Sequence, residues 1–119
     1  MKWGHHYEEC PHDQLLVWVL QCILRPYNVP LDRWLKEILT HAGGLSGDPG
    51  WSMEHISSSD GLDTYQVWAD PDISGIEPAE ATYDANAVRL VLRKSLIAFS
   101  EAYPERILEV EDVLRRYRL

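Results

Sequence analysis

At 119 residues, 45% of them apolar and with five tryptophans and six tyrosines, the chain has the length and make-up of one folded domain and not of a disordered segment. Its 19 acids outweigh 11 bases to give a formal charge of −8, which disfavours nucleic acid as a ligand and favours basic proteins. No apolar run approaches the length that crosses a bilayer, and two cysteines are too few for a disulfide scaffold.

The opening stretch GHHYEECPH (4–12) crowds possible zinc ligands together: His5, His6, Cys10 and His12. Their spacing is poor for that purpose. Pro11 interrupts the cluster, Cys10-x-His12 matches no usual finger pattern, and the adjacent His5 and His6 do not easily share one metal from a regular helix. His41 and His55 could complete a site only in space. The main reading is an exposed polar lead-in whose acids suit a helix N-terminus, and no cofactor is expected.

A helix is expected from Asp13, as its cap, through Leu24. Nearly every residue from Leu15 onward is apolar, which describes a central helix packed on several sides. Cys22 falls inside this pattern as a small buried hydrophobe, and a Cys10–Cys22 bridge is an option with little else behind it. No basic region precedes the apolar run, and Arg25-Pro26 follows it instead of a small-residue cleavage site. A signal peptide is therefore not expected, and a cytoplasmic location is.

The second helix starts at Pro30 and runs to about Ala42, with Gly43-Gly44 as its stop. Leu31, Trp34, Leu35, Ile38 and Leu39 form its apolar stripe, opposite Asp32, Arg33, Lys36 and Glu37. Residues 43–50 read as a loop. WSMEHI (51–56) and TYQVWA (64–69) read as a β-hairpin turning at Asp60-Gly61, with Tyr65, Val67 and Ala69 on one face and Gln66 and Trp68 on the other. DPDISGIEPAEA (70–81) reads as an acidic loop.

Thr82 or Asp84 caps a third helix, whose buried face carries Val88, Leu92, Leu96, Phe99 and Tyr103, with Val91 and Ser95 beside it. Pro104 breaks it and opens a fourth helix from Glu105 to about Tyr117, with Ile107, Val110, Leu114 and Tyr117 inward. The expected fold is thus a single α+β domain over residues 1–119, mostly helical, with four helices and a small antiparallel hairpin.

Charge is distributed unevenly. From Glu37 to Val88 there is no Lys or Arg, while Glu37, Asp48, Glu54, Asp60, Asp63, Asp70, Asp72, Glu77, Glu80 and Asp84 fall in that interval. Trp51, Tyr65 and Trp68 lie among these acids and are read as exposed. Aromatic anchors within a ring of charge suit a tight, electrostatically steered interface. The candidate partner-binding residues are Glu54, Asp60, Asp63, Trp68, Asp70, Asp72, Glu77 and Glu80. Reversing Asp70 and Asp72 to Lys is expected to slow association.

Catalytic signatures do not appear: no phosphate-cradling Gly loop, no nucleophile elbow, no paired-histidine metalloprotease motif. SSSD (57–60) is explained by the turn it precedes, and His41 by a helix end. A non-enzymatic protein is expected.

The stretch TYDANAVRLVLRKSLIAFSEAYPERILEVEDVLRRYRL (82–119) resembles the C-terminal helices of small bacterial immunity proteins paired with contact-dependent growth inhibition and related polymorphic toxins. An aromatic-led helix, a YPE break and a short Glu/Arg-rich closing helix carry the resemblance, which covers these residues only. It implies a small, acidic, cytoplasmic, non-catalytic inhibitor. Its partner would be a cognate toxin domain, commonly a basic nuclease, whose active site or substrate groove it blocks. Two other readings remain at this point. One is a small metal-binding protein using the N-terminal His/Cys cluster. The other is an adaptor or homo-oligomer subunit in which Trp51 and Trp68 pack against another copy.

Overall fold

The computed structural model describes residues 3–4, 10–26, 30–40, 43–47, 50–57 and 63–119. Its core begins with α1 (Gln14–Ile23), where Leu15, Leu16, Val17, Val19, Leu20, Cys22 and Ile23 are all buried. This is the central helix that its apolar run predicts. Asp13 does not cap it. Its backbone is already helical and its side chain makes no capping bond, because a 3-10 turn over Pro11–Asp13 leads directly into α1.

α2 (Leu31–Thr40) buries Leu31, Leu35 and Ile38, and leaves Arg33, Lys36 and Glu37 exposed. The Gly43-Gly44 pair expected to stop it belongs instead to a strand. A four-stranded antiparallel sheet follows, not a lone hairpin: β1 (Gly43–Gly47), β2 (Trp51–Ile56), β3 (Thr64–Ala69) and β4 (Glu80–Asp84), in that spatial order. The expected hairpin is its centre, β2 paired to β3 from Trp51↔Ala69 to Ile56↔Thr64.

The two outer strands escape propensity. Gly-Gly-Leu-Ser-Gly has little β character of its own, and it is held in register by β2. Gly47 has a packing reason to be glycine. A Cβ there would meet the Trp51 ring at 3.0 Å, so the indole lies where any side chain would stand. Between β3 and β4 the chain makes a single helical turn, α3 (Pro71–Ser74), ended by Gly75 in the left-handed region (φ 68°).

Period-two alternation sorts the sheet into two faces. Trp51, Met53, Tyr65, Val67, Ala69 and Tyr83 are buried on the inner face, where α1 packs on β2 and β3. α4 (Ala85–Ala102) packs across β3 and β4 and beside α1, and α5 (Ile107–Arg116) closes the helical layer against α4 and α2. Asp84 caps α4 as expected, accepting from Ala87 N at 2.7 Å. Val88, Val91, Leu92, Ser95, Leu96 and Phe99 are its buried face.

α5 packs Val110, Leu114 and Tyr117 against the core as expected, with Val113 beside them, whereas Ile107, directly after a 3-10 turn over Pro104–Arg106, is 45% exposed. The result is an α+β globule with a Cα radius of gyration of 13.5 Å, as expected of a compact chain this long. Among the described residues no helix is long and apolar enough to cross a membrane.

Candidate functional site: the outer face of the sheet

The inner face of the sheet is covered by helices, and the outer face is open. On β2 the outward side chains are Ser52, Glu54 and Ile56; on β3 they are Thr64, Gln66 and Trp68; on β4 they are Glu80, Thr82 and Asp84. The register places Trp68 between Ser52 and Glu80, Gln66 between Glu54 and Thr82, and Thr64 between Ile56 and Asp84. Glu54, Glu80 and Asp84 thus stand on one surface within about two strand spacings, or about 10 Å, across the sheet. These strands contain no Lys or Arg, and their one histidine, His55, points to the inner face. Gln66 Nε2 donates to a Glu80 carboxylate oxygen.

Trp68 is 38% exposed and Ile56 40%, so each offers apolar surface inside the carboxylate field. The expectation of three exposed aromatics holds for Trp68 alone. Trp51 and Tyr65 are 5% and 3% exposed and belong to the core. Alternation already separates them: Trp51 is in phase with Met53, and Tyr65 with Val67, whereas Trp68 is in phase with Gln66. The buried Trp51 also cannot serve the homo-oligomer reading, which needed it on the surface.

The remaining candidates sit at the two ends of the sheet. At one end, Asp70 caps α3 by accepting from Asp72 N at 2.9 Å, and its own N–H donates to the Gly50 carbonyl. Asp72 and Glu77 are exposed there, near Trp68 and Glu80 in the chain. At the other end Asp63 is engaged with the sheet, its Oδ2 lying 3.1 Å from Nε2 of His55. Asp60 lies outside the described residues, as does the Asp60-Gly61 turn. Ile56 and Asp84 were not among the candidate partner-binding residues, although the alternation of WSMEHI and of the stretch 80–84 places them on the outer face.

His55 is the one buried histidine among the described residues. It is 8% exposed and stacked on the Tyr65 ring at 4.5 Å with planes 11° apart. Tyr65 in turn donates to the Ile38 carbonyl at 3.0 Å, and burial pushes its phenol up to about 12. Glu37, Ile38, Gly43, Leu45, Met53, His55 and Tyr65 line a shallow cleft between α2 and the sheet with room for about one water molecule. A histidine–carboxylate pair can move protons, and here it also links Asp63, just before β3, to β2.

The N-terminal cluster is divided. His5 and His6 lie outside the described residues. Cys10 is half-buried with a free thiol, and Cys22 is a separate buried free thiol, raised by burial, so no bridge joins them. The exposed His12 leans on the Tyr83 ring at 4.9 Å, and the Tyr83 hydroxyl donates to the His12 carbonyl at 2.6 Å. Among the described residues no group of three His, Cys, Asp or Glu side chains is placed to hold a metal ion.

Compared with protein-family models, curated proteins and solved structures, the chain matches none significantly.

Proposed function

We propose that this is a non-catalytic binding protein that captures a basic protein on the outer face of its sheet. The observation that carries the reading is that uncovered face, with Glu54, Glu80 and Asp84 around Trp68 and Ile56 and no Lys or Arg in the strands. Carboxylates at this spacing raise the encounter rate with a basic surface, and Trp68 supplies an apolar anchor whose burial slows dissociation. The resemblance of residues 82–119 to immunity proteins supplies the partner's class, a toxin domain. A nuclease groove built to hold phosphates would accept this row of carboxylates in their place. Cytoplasmic capture of such an enzyme calls for fast association, which steering provides.

The test follows from the placement of the acids. Asp70 caps α3, so reversing it disturbs the backbone as well as the field, and Glu54 and Glu80 are the cleaner pair. With the basic C-terminal domain of a secreted protein encoded beside this chain's gene as the probe, Glu54→Lys/Glu80→Lys should lower the association rate at least about tenfold at low salt. Trp68→Ala should act on dissociation, weakening the complex by about 2 kcal/mol. An unchanged association rate at low salt would sink the assignment of this face.

A further inference from the structure

β1 is the least protected edge of the sheet. Among the described residues Gly43–Gly47 is paired on one side only, to β2, in an unbroken register from Gly43↔His55 to Gly47↔Trp51. Four of its five residues are exposed, none is charged or proline, and no bulge bends it. Sheets ordinarily blunt their edges with those very devices, because an open edge offers unpaired N–H and C=O groups to any extended chain. The opposite edge is protected: β4 begins at Glu80 and ends at Asp84, and Tyr83 ties it to the segment at His12.

We propose that β1 is a strand-addition site and that its occupant is an extended segment of a basic partner, with Lys or Arg at alternate positions. This rests on the reading of the outer face as a recognition surface, and it specifies how the partner's backbone would sit against it. A strand added beside β1 bonds to the edge through its main chain and sends every second side chain over the outer face. The first positions those side chains meet are Gly44 and Ser46. Near the place of a Gly44 Cβ there is only the Met53 carbonyl oxygen, at 3.8 Å.

A long basic side chain therefore crosses Gly44 unobstructed toward Glu54, its register partner on β2. Two strand spacings make about 10 Å, within the joint reach of a Lys or Arg and a Glu lying along the sheet. The alternate side chains face the cleft between β1 and α2, where Glu37, Ile38 and Leu45 offer one carboxylate and two apolar chains. A second copy fits less well, since joining β1 to β1 would set two carboxylate faces side by side in one continuous sheet.

The probe is a capped peptide of alternating Lys and Val, about eight residues long, as strands commonly are. It is added to the full chain at low salt, beside a Lys–Pro peptide of equal charge that lacks the N–H groups for pairing. At saturation with the Lys–Val peptide, hydrogen exchange of the β1 amides should slow about tenfold, with no such protection from Lys–Pro. Glu54→Lys should weaken the Lys–Val peptide about tenfold. Leu45→Pro and Ser46→Pro remove neighbouring N–H groups, one facing β2 and one facing outward, so the variant that keeps β2 protected should lose the peptide.

Equal binding of the two peptides, or unchanged β1 exchange at saturation, overturns strand addition. β1 protection that rises with protein concentration in the absence of peptide gives the edge to a second copy and overturns it too. A basic toxin domain whose binding depends on Glu54 and Trp68 without protecting β1 keeps the recognition face and sinks only the strand.

Discussion

The carboxylates of the sheet and those of the helical layer differ in what surrounds them. In the helical layer, Asp32 lies 2.8 Å from Arg116, Glu109 lies 2.6 Å from Arg106, and Asp112 lies 2.9 Å from both Arg115 and Arg116. Arg89, the first base after the long acidic interval, donates to the carbonyls of Tyr117 and Arg118. On the sheet and its loops, Glu54, Asp72 and Glu77 have no such cation among the described residues. Asp32, Glu109 and Asp112 thus each have a guanidinium beside them, and these three carboxylates on the sheet side do not. Negative charge left uncompensated contributes little to folding and is therefore available to a partner.

The sharpest way to break that division is to injure each side and compare stability with binding. Phe99 is fully buried between Trp3, edge-on at 5.3 Å, and Tyr103 at 4.9 Å, with the Arg106 guanidinium 5.4 Å from its ring. Phe99→Ala should cost about 3–5 kcal/mol in urea unfolding. Trp68→Ala, on the open face, should change stability by less than about 1 kcal/mol. A large stability loss for Trp68→Ala would mean that the outer face is part of the fold and not a surface held for a partner.

High pH attacks the same inner side. Burial pushes the phenols of Tyr65 and Tyr83, both inner-face residues, from 10.0 up to about 12. A phenol whose folded pKa is raised contributes stability that is complete below its unfolded pKa and lost as pH rises through the folded one. Stability should therefore hold to about pH 10 and fall toward pH 12, by about 2–3 kcal/mol at most for each residue. Tyr65→Phe should flatten part of that fall, as read by denaturant midpoints across the alkaline range. An unchanged alkaline slope in Tyr65→Phe would remove this residue from the account.

Charge removal should separate the two sets of acids next. Glu109 accepts from the Leu31 N–H at 2.7 Å while pairing with Arg106, which also donates to the Pro26 carbonyl. Glu109→Ala strands the start of α2 and the Arg106 head, and should cost about 1–3 kcal/mol. Glu54→Ala and Glu77→Ala should lie within about 0.5 kcal/mol of the parent chain. Thermal melts of the three variants make this a direct comparison, and an equal loss in all three would erase the division.

Much of this architecture was legible because periodicity reports burial directly. The apolar run of α1, the stripe of α2 and the inward face of α4 follow from residue spacing alone, as does the inward set Tyr65, Val67 and Ala69. β1 was not legible, because its five residues form a strand only when β2 supplies the pairing, and glycine signals a turn when read locally. β4 was hidden between Pro78 and the Asp84 cap. Ile107 was assigned inward because it shares the spacing of Val110 and Leu114, and spacing alone does not show where along a helix the packed stripe begins. The candidate site was legible as a composition and only partly as a place. The absence of Lys and Arg marks the interval, but pairing decides which of its acids share a face. It sets Glu54 and Glu80 with Trp68, and turns Asp63 aside to His55.

The smallest effect isolates the paired carboxylates by acid. Asp32 accepts from the Tyr117 hydroxyl at 2.7 Å and from Arg116, and these two contacts, the hydroxyl first, hold its carboxyl below the usual range. A carboxyl whose folded pKa is depressed contributes stability that is present above its unfolded pKa and lost as pH falls through the folded one. The parent chain should therefore lose a small increment of stability on the acid side, below the ordinary carboxylate pKa of about 3.9. Tyr117→Phe removes the larger cause and should return the Asp32 titration, followed by NMR, toward its ordinary value. The stability difference between Tyr117→Phe and the parent should then narrow as the carboxyl protonates in both. Glu54→Gln, on the open face, should leave stability at neutral pH within about 0.5 kcal/mol of the parent chain. A larger loss in Glu54→Gln would mean that the open face contains an interaction that stabilises the fold, and that its carboxylates are not free for a basic partner.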